Sequence, residues 1–244
     1  MAPKVEVFPD RAALADAAAR IIVEAARDAV TARGRFLVAL AGGDTPRETY
    51  ARLAGEPWRD TMPWARTFVF FGDERCVPPD HPESNFRMAQ DALLGKVPIP
   101  TAQIFRMRAE LDDTEAAAAE YARTLATVAG TRRGEIPRFD LILLGLGLDG
   151  HTGSLFPGSP VLKEVFRTVA AVHAAAAAIP HRVTLTFPVV NAASQVIFLV
   201  SGSEKAKVVK AALSEGATLP ASMVAPSEGR LVWMLDRDAA SRLE

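Results

Sequence analysis

The chain alternates two hydrophobic rhythms. Short β-branched or aromatic runs predict strands at Val5 to Phe8, Arg35 to Leu40, Thr67 to Phe71, Phe139 to Gly145, Thr168 to Val172, Arg182 to Phe187, Gln195 to Val200 and Leu231 to Leu235. Between them, stretches of helical character, mostly rich in alanine, run over Asp10 to Thr31, Pro46 to Leu53, Glu83 to Leu94, Asp113 to Val128 and Ser203 to Leu213. Asp10 and Thr45 are placed to cap two of these helices, with Pro46 at the first helical position of the second. FDLILLG and QVIFLV are apolar on both faces, as a strand covered from two sides requires. Such strands alternating with helices predict an α/β fold, three-layer and doubly wound around a mostly parallel sheet. No linker, composition shift or fixed-period repeat divides residues 1–244, so one domain is expected. The alanine run Ala174 to Ala178 reads as connecting filler.

Composition narrows the partners. At 49% hydrophobic and 23% charged, the chain can bury a sizeable core, which excludes a mainly disordered protein. A net charge of -1 gives no global attraction for nucleic acid or acidic membranes, so any anionic partner must be small. The single cysteine, Cys76, leaves no internal disulfide framework and no cysteine-based zinc site. MAPKVEVFPD lacks the apolar core of a secretory signal. The longest apolar run, Val169 to Ile179, is interrupted by His173 and falls short of the roughly 18 residues a membrane span needs. A cytoplasmic monomer, with neither nucleic acid nor membrane as partner, is the expectation.

In a doubly wound sheet, ligands collect at the carboxyl ends of strands. AGGDTP, GDERCVP, GLGLDGHTG and SGSEKAK each follow a predicted strand, so parallel strands would bring all four to one edge. Gly145, Gly147 and Gly150 spell GxGxxG, but Pro157, Gly158 and Pro160 break the helix that a dinucleotide site needs next. No acidic residue ends a nearby second strand either, so neither a nicotinamide nor a flavin cofactor is expected. The Gly42-Gly43 turn can converge amide N–H groups on an anion, or be a plain strand-to-helix turn. Asp44 would repel a phosphate there unless it turned away to cap the helix.

Arg75 stands beside Asp73 and Glu74, either as an exposed ion pair or as a guanidinium that the two acids hold for an oxyanion or phosphate. His81, Ser84 and Asn85 could line the same edge, His81 reading by itself as a loop histidine. Lys205 opens a helix, where a cation is unfavourable until an anion binds. Arg182 begins the strand RVTLTFP, a position at which arginines are commonly solvated. Asp149 and His151, two apart around a glycine, can orient an imidazole to take a proton from water, with glycine N–H groups serving the oxyanion. The ordinary alternative is a polar turn; a metal site needs more ligands than this pair supplies.

LALAGGDTPRETY, FFGDERCVPPDHPESNFRMA, FDLILLGLGLDGHTGSLFPGS, RVTLTFPVVNAASQVIFLV and SGSEKAKVV, in that order and over nearly the whole chain, resemble the 6-phosphogluconolactonases. These belong to the wider glucosamine/galactosamine-6-phosphate isomerase superfamily, whose fold is Rossmann-like. The resemblance implies hydrolysis of 6-phospho-D-glucono-1,5-lactone to 6-phosphogluconate in the oxidative pentose phosphate pathway, with no cofactor. It makes His151 the general base and Asp149 its positioner, and sets Arg75 and Arg182 against the phosphate or the oxyanion. Lys205 would bind phosphate with Gly42, Gly43 and Thr45, and Asn85 would lie near the sugar. Asp44 departs from the small polar residue that the family often has, and AAAAIPH replaces a Pro- and Lys-containing approach to RVTLT.

Two rivals are weighed against this. The superfamily's deaminases place a Glu five residues beyond the DGH histidine, where this chain has Phe156, and tend to read DEY where it has Asp73-Glu74-Arg75. A sugar-phosphate sensor on this fold normally carries a DNA-binding domain, and no basic helix-turn-helix precedes the α/β pattern here.

Overall fold

A computed structural model describes residues 3–132, 134–175 and 177–243. In chain order its elements are β1 (Lys4–Phe8), α1 (Arg11–Arg33), β2 (Phe36–Leu40), α2 (Asp44–Leu53), the single turn α3 (Trp58–Thr61), β3 (Thr67–Phe71), β4 (Asp73–Arg75) and α4 (Asn85–Ala89). There follow α5 (Thr114–Ala129), β5 (Leu141–Leu144), β6 (Val169–His173), β7 (His181–Leu185), α6 (Phe187–Val190), β8 (Gln195–Val200), α7 (Ala206–Leu213) and β9 (Arg230–Asp236). Ala176, within the alanine run, lies outside the described residues.

Six strands form one sheet in the order β1-β9-β8-β5-β2-β3, every pair parallel. Its inner strands β2 and β5 are apolar throughout, and β8 is apolar after Gln195, because both faces are covered there; the edge strand β1, with Lys4 and Glu6, is largely exposed. In β8, Val196, Phe198 and Val200 enter one core while Ile197 and Leu199 enter the other, the two-residue period of a strand. α1 and α2 cover the second face, with Leu14, Ala18, Ile22 and Tyr50 in its core. α5 and the segments around β6 and β7 cover the first, so the three-layer doubly wound reading holds.

The structure adds a second sheet. β6 and β7, read from sequence only as strands, pair antiparallel, and β7 then takes the short β4 on its other side. Two other readings shift. α2 opens at Asp44 with Gly43 as its cap, not at Pro46 with Thr45 as cap, because Gly43 turns the chain at φ 104 before either is reached. The stretch Glu83 to Leu94 becomes α4 capped by Ser84, whose hydroxyl accepts from Arg87 N, continued by a wider turn over Gln90–Leu94. Asp10 caps α1 as expected, accepting from Ala13 N at 2.8 Å.

Two buried tyrosines fix the strand ends from which the loops depart. Tyr50 of α2 donates to Ala41 O (2.8 Å) and accepts from Ala41 N (2.9 Å) just past β2. Tyr121 of α5 accepts from Phe71 N (2.7 Å) at the end of β3, with Phe71 O and Phe105 O each 3.2 Å from its hydroxyl. Burial pushes both phenols up, so they stay neutral donors. Among the described residues no helix is long and apolar enough to cross a membrane.

Candidate active site

Because β2, β3, β5 and β8 are parallel, the four loops that follow them share one edge and surround a cleft of about 1030 Å³. Gly42, Gly43, Thr45, Arg75, Asn85, Asp149, His151, Arg182 and Lys205 all line it. Of the neighbours proposed for the edge, Ser84 is buried as the cap of α4, and His81 accepts from Glu83 N at 3.1 Å through its Nδ1.

The β5 loop is closed on itself. Gly147 N donates to His151 O (2.8 Å), Gly150 N to Gly147 O (3.0 Å), and Thr152 Oγ1 to Gly145 O (2.9 Å). This brings His151 Nδ1 to 2.5 Å from Asp149 Oδ1, the oxygen that also accepts from His151 N at 3.1 Å. Partial burial pushes the Asp149 carboxyl up, but the backbone and ring N–H groups of His151 outweigh it and hold the group below the usual aspartate range. An ionised carboxylate only accepts, so Nδ1 carries the proton and neutral His151 keeps its lone pair on Nε2. Phe156 packs against the imidazole with its ring tilted by 35°, ring centroids 4.4 Å apart.

The tight loop corrects one expectation: the Gly147 and Gly150 amides are spent inside it and are not available to an oxyanion. The amides of Gly42 and Gly43, by contrast, donate to no described residue. The loop also explains Gly147, since a Cβ there would overlap the His151 ring and lie 2.7 Å from Asp149 Oδ1. Gly147→Ala is expected to displace the imidazole and cut kcat about 100-fold, with circular dichroism unchanged. Near-normal turnover would show that the ring position is not set here.

The cations are held differently from the sequence reading. Asp73 and Glu74 do not grip Arg75; its Nη1 donates to Glu83 O at 2.5 Å, with Glu83 Oε2 3.7 Å away, while its Nε is buried without a partner. Glu74 instead turns to the other side of β4. Its carboxylate accepts from Arg75 N, Asn85 N and Phe86 N (each 2.8 Å) and from Ser84 Oγ (3.0 Å), fixing the turn that leads into α4. Asp73 takes Ser154 Oγ (2.6 Å) and Asn85 Nδ2 (3.1 Å), and lies 4.0 Å from Arg182 Nη1.

Arg182 is buried rather than solvated, sits opposite Arg75 in the β4–β7 register and stacks on Phe156 with its guanidinium 5.5 Å from the ring centre. Burial lowers its pKa, with Asp73 opposing the shift. Asn85 gives its side-chain NH2 to Asp73 and packs so closely on Gly42 that a Cβ there would overlap it, so it joins two loops as well as lining the cleft. Lys205 Nζ donates to Leu146 O at 2.8 Å, and burial depresses its pKa, with Glu204 and Asp149 opposing. Asp44, the residue expected to disturb an anion, is exposed and pairs with Arg47 at 3.4 Å.

Sequence reasoning missed three contributors: Arg11, which follows β1 to the same edge, Glu74 as the organiser of the β4 turn, and the tyrosine clamps. Arg11 obeys the post-strand rule that found the other loops, but its loop lacks the glycines that drew attention to them.

Comparison with known proteins follows the same lines. A family model described as glucosamine-6-phosphate isomerases/6-phosphogluconolactonase matches residues 9–233. The 6-phosphogluconolactonase of Streptomyces coelicolor is 40% identical over 99% of this chain and 95% of its own length. That of Synechocystis is 39% identical over 100% and 99%. Among solved structures, the 6-phosphogluconolactonase of Trypanosoma cruzi superposes with a TM-score of 0.88 at 31% identity, covering 100% of this chain and 98% of that one.

Proposed function

The chain belongs to the family of glucosamine-6-phosphate isomerases and 6-phosphogluconolactonases, and we propose that His151 performs its lactonase reaction as general base. The reaction converts 6-phospho-D-glucono-1,5-lactone to 6-phosphogluconate, a step of the oxidative pentose phosphate pathway. One observation carries the assignment: a carboxylate-oriented imidazole opens on the same cleft as Arg75, Arg182, Lys205 and the free Gly42 and Gly43 amides.

His151 Nε2 takes a proton from water as its oxygen attacks the lactone carbonyl carbon C1. The tetrahedral oxyanion is stabilised by the arginine guanidinium groups. The bond from C1 to the ring oxygen then breaks, and the imidazolium returns its proton to that oxygen. Asp149 holds the tautomer and supports the transient positive charge. Lys205, Gly42, Gly43 and Thr45 seat the 6-phosphate, whose binding energy fixes the reacting carbonyl at the base. Phe156, in place of the deaminase glutamate, lends the imidazole an apolar wall and no second acid, which favours hydrolysis over deamination.

The reading treats residues 1–244 as one domain acting in the cytoplasm as a monomer on a small sugar phosphate, with no nucleic acid. Its test is acid release from freshly generated 6-phosphogluconolactone, with the unphosphorylated lactone as control; release no faster than spontaneous hydrolysis overturns it. Lys205→Ala is expected to raise KM about 30-fold with kcat nearly kept, the loss of one charge-assisted phosphate contact. Because the Lys205 pKa is depressed, phosphate affinity should also fall, as pH rises, earlier than an ordinary lysine would dictate. Calorimetric titration with 6-phosphogluconate across alkaline pH reads this, and affinity that is flat through that range would count against it.

A further inference from the structure

We propose that Arg11 is a further phosphate-binding residue of this cleft, an inference that rests on the lactonase reading above. Arg11 begins α1 immediately beyond β1, at the same sheet edge as the four loops, and lines the cleft together with Gly43, Ser201 and Lys205. Its Nε donates to Ser201 Oγ at 2.8 Å, and Ser201 Oγ donates in turn to Asp236 Oδ2 at 2.6 Å. Asp236 is buried and also accepts from Gly202 N (3.1 Å) and Ala239 N (2.8 Å). The guanidinium is thus steered by a neutral hydroxyl. Among the described residues no carboxylate lies within 4.0 Å of it, and its two terminal nitrogens donate to nothing.

That combination differs from the exposed arginines of the neighbouring helix α2. Arg47 and Arg52 pair with acids of their own or a neighbouring helix and present no free fork. An unpaired exposed arginine ordinarily keeps its rotamer freedom, whereas Arg11 gives up part of it to the Ser201 bond. With Nε anchored, both terminal NH2 groups remain in one plane, the geometry that meets two oxygens of a phosphate at once. α1 itself gains nothing from the charge, since a cation in the first turn opposes the helix dipole. A dianionic phosphate held by Lys205 alone would be half neutralised; Arg11 supplies the second positive charge, beside the turns at Gly43 and Gly202.

The alternative is a purely structural tie between α1 and the loop after β8. Kinetics on the full-length protein separate the two. Arg11→Ala should raise KM for the phosphorylated lactone and Kd for 6-phosphogluconate about tenfold, with kcat within about twofold. The effect should shrink as salt is raised. kcat/KM for the unphosphorylated lactone and Tm should be unchanged, and Arg11→Lys should recover part of the affinity. Equal losses on both lactones, or unchanged affinity for phosphorylated ligands, overturn the proposal. If Arg11→Ala does not fold, Arg11→Gln, which keeps a side-chain donor, takes its place. A wild-type protein that binds 6-phosphogluconate or inorganic phosphate without turnover would defeat the lactonase reading, while the calorimetric comparison still decides Arg11. Absence of binding by both proteins would defeat Arg11 as well.

Discussion

His151→Ala should lower kcat for 6-phosphogluconolactone about 1000-fold, the middle of the range that a positioned general base supplies. KM should change little, because the proposed phosphate seat, Lys205 and the glycine turn, lies on loops other than the one that carries His151. The imidazole is 29% exposed, so its removal opens no core cavity and Tm should stay within about 2 °C. Asp149 sharpens the test. Its depressed pKa keeps it ionised at neutral pH, and the support it gives His151 is lost only as pH falls through that lowered value. Acid loss of activity at milder pH therefore belongs to another group. Turnover by His151→Ala equal to wild type, after subtracting spontaneous hydrolysis, would falsify the assignment of the base.

Glu74→Ala should cost about 3–5 kcal/mol of stability, the penalty for emptying a buried, hydrogen-bonded carboxylate position. The four donors that converge on the carboxylate lie in a turn shielded from water, with Glu74 only 3% exposed. Denaturant unfolding reads the loss directly, and Tm should drop by about 10 °C. The same turn sets Arg75 and Asn85, so residual folded protein should also bind 6-phosphogluconate poorly. Burial raises the Glu74 pKa despite its hydrogen bonds, so the native state binds this proton more tightly than the unfolded chain. Its titration therefore favours folding below the ordinary glutamate range, and that contribution is lost as pH rises through the raised value. A Glu74→Ala protein as stable as wild type would show that water satisfies the turn.

How far these features could be read in advance depends on which forces set them. The central sheet was legible because burial on both faces writes uninterrupted apolar runs, and the loops were legible because parallel strands put their carboxyl ends together. The partner of β7 was not. RVTLT has the alternation of a strand with one polar side, which suits an antiparallel neighbour, but nothing local names Val169–His173 or Asp73–Arg75 as that neighbour. The grip on Arg75 failed for a reason of geometry. Successive residues of a strand face opposite sides, so Asp73 and Glu74 cannot both reach one guanidinium. The role of Arg182 depended on burial, which came from the second sheet and not from its own sequence neighbourhood.

The hydroxyls of Tyr50 and Tyr121 staple the exits of β2 and β3 to helices on opposite layers. An incoming sugar therefore meets receptor loops whose roots were immobilised during folding, and association need not spend its favourable enthalpy on freezing them. Capture at this mouth should behave as lock-and-key docking onto a rigid rim, with specificity residing in where the fixed amides and cations already stand.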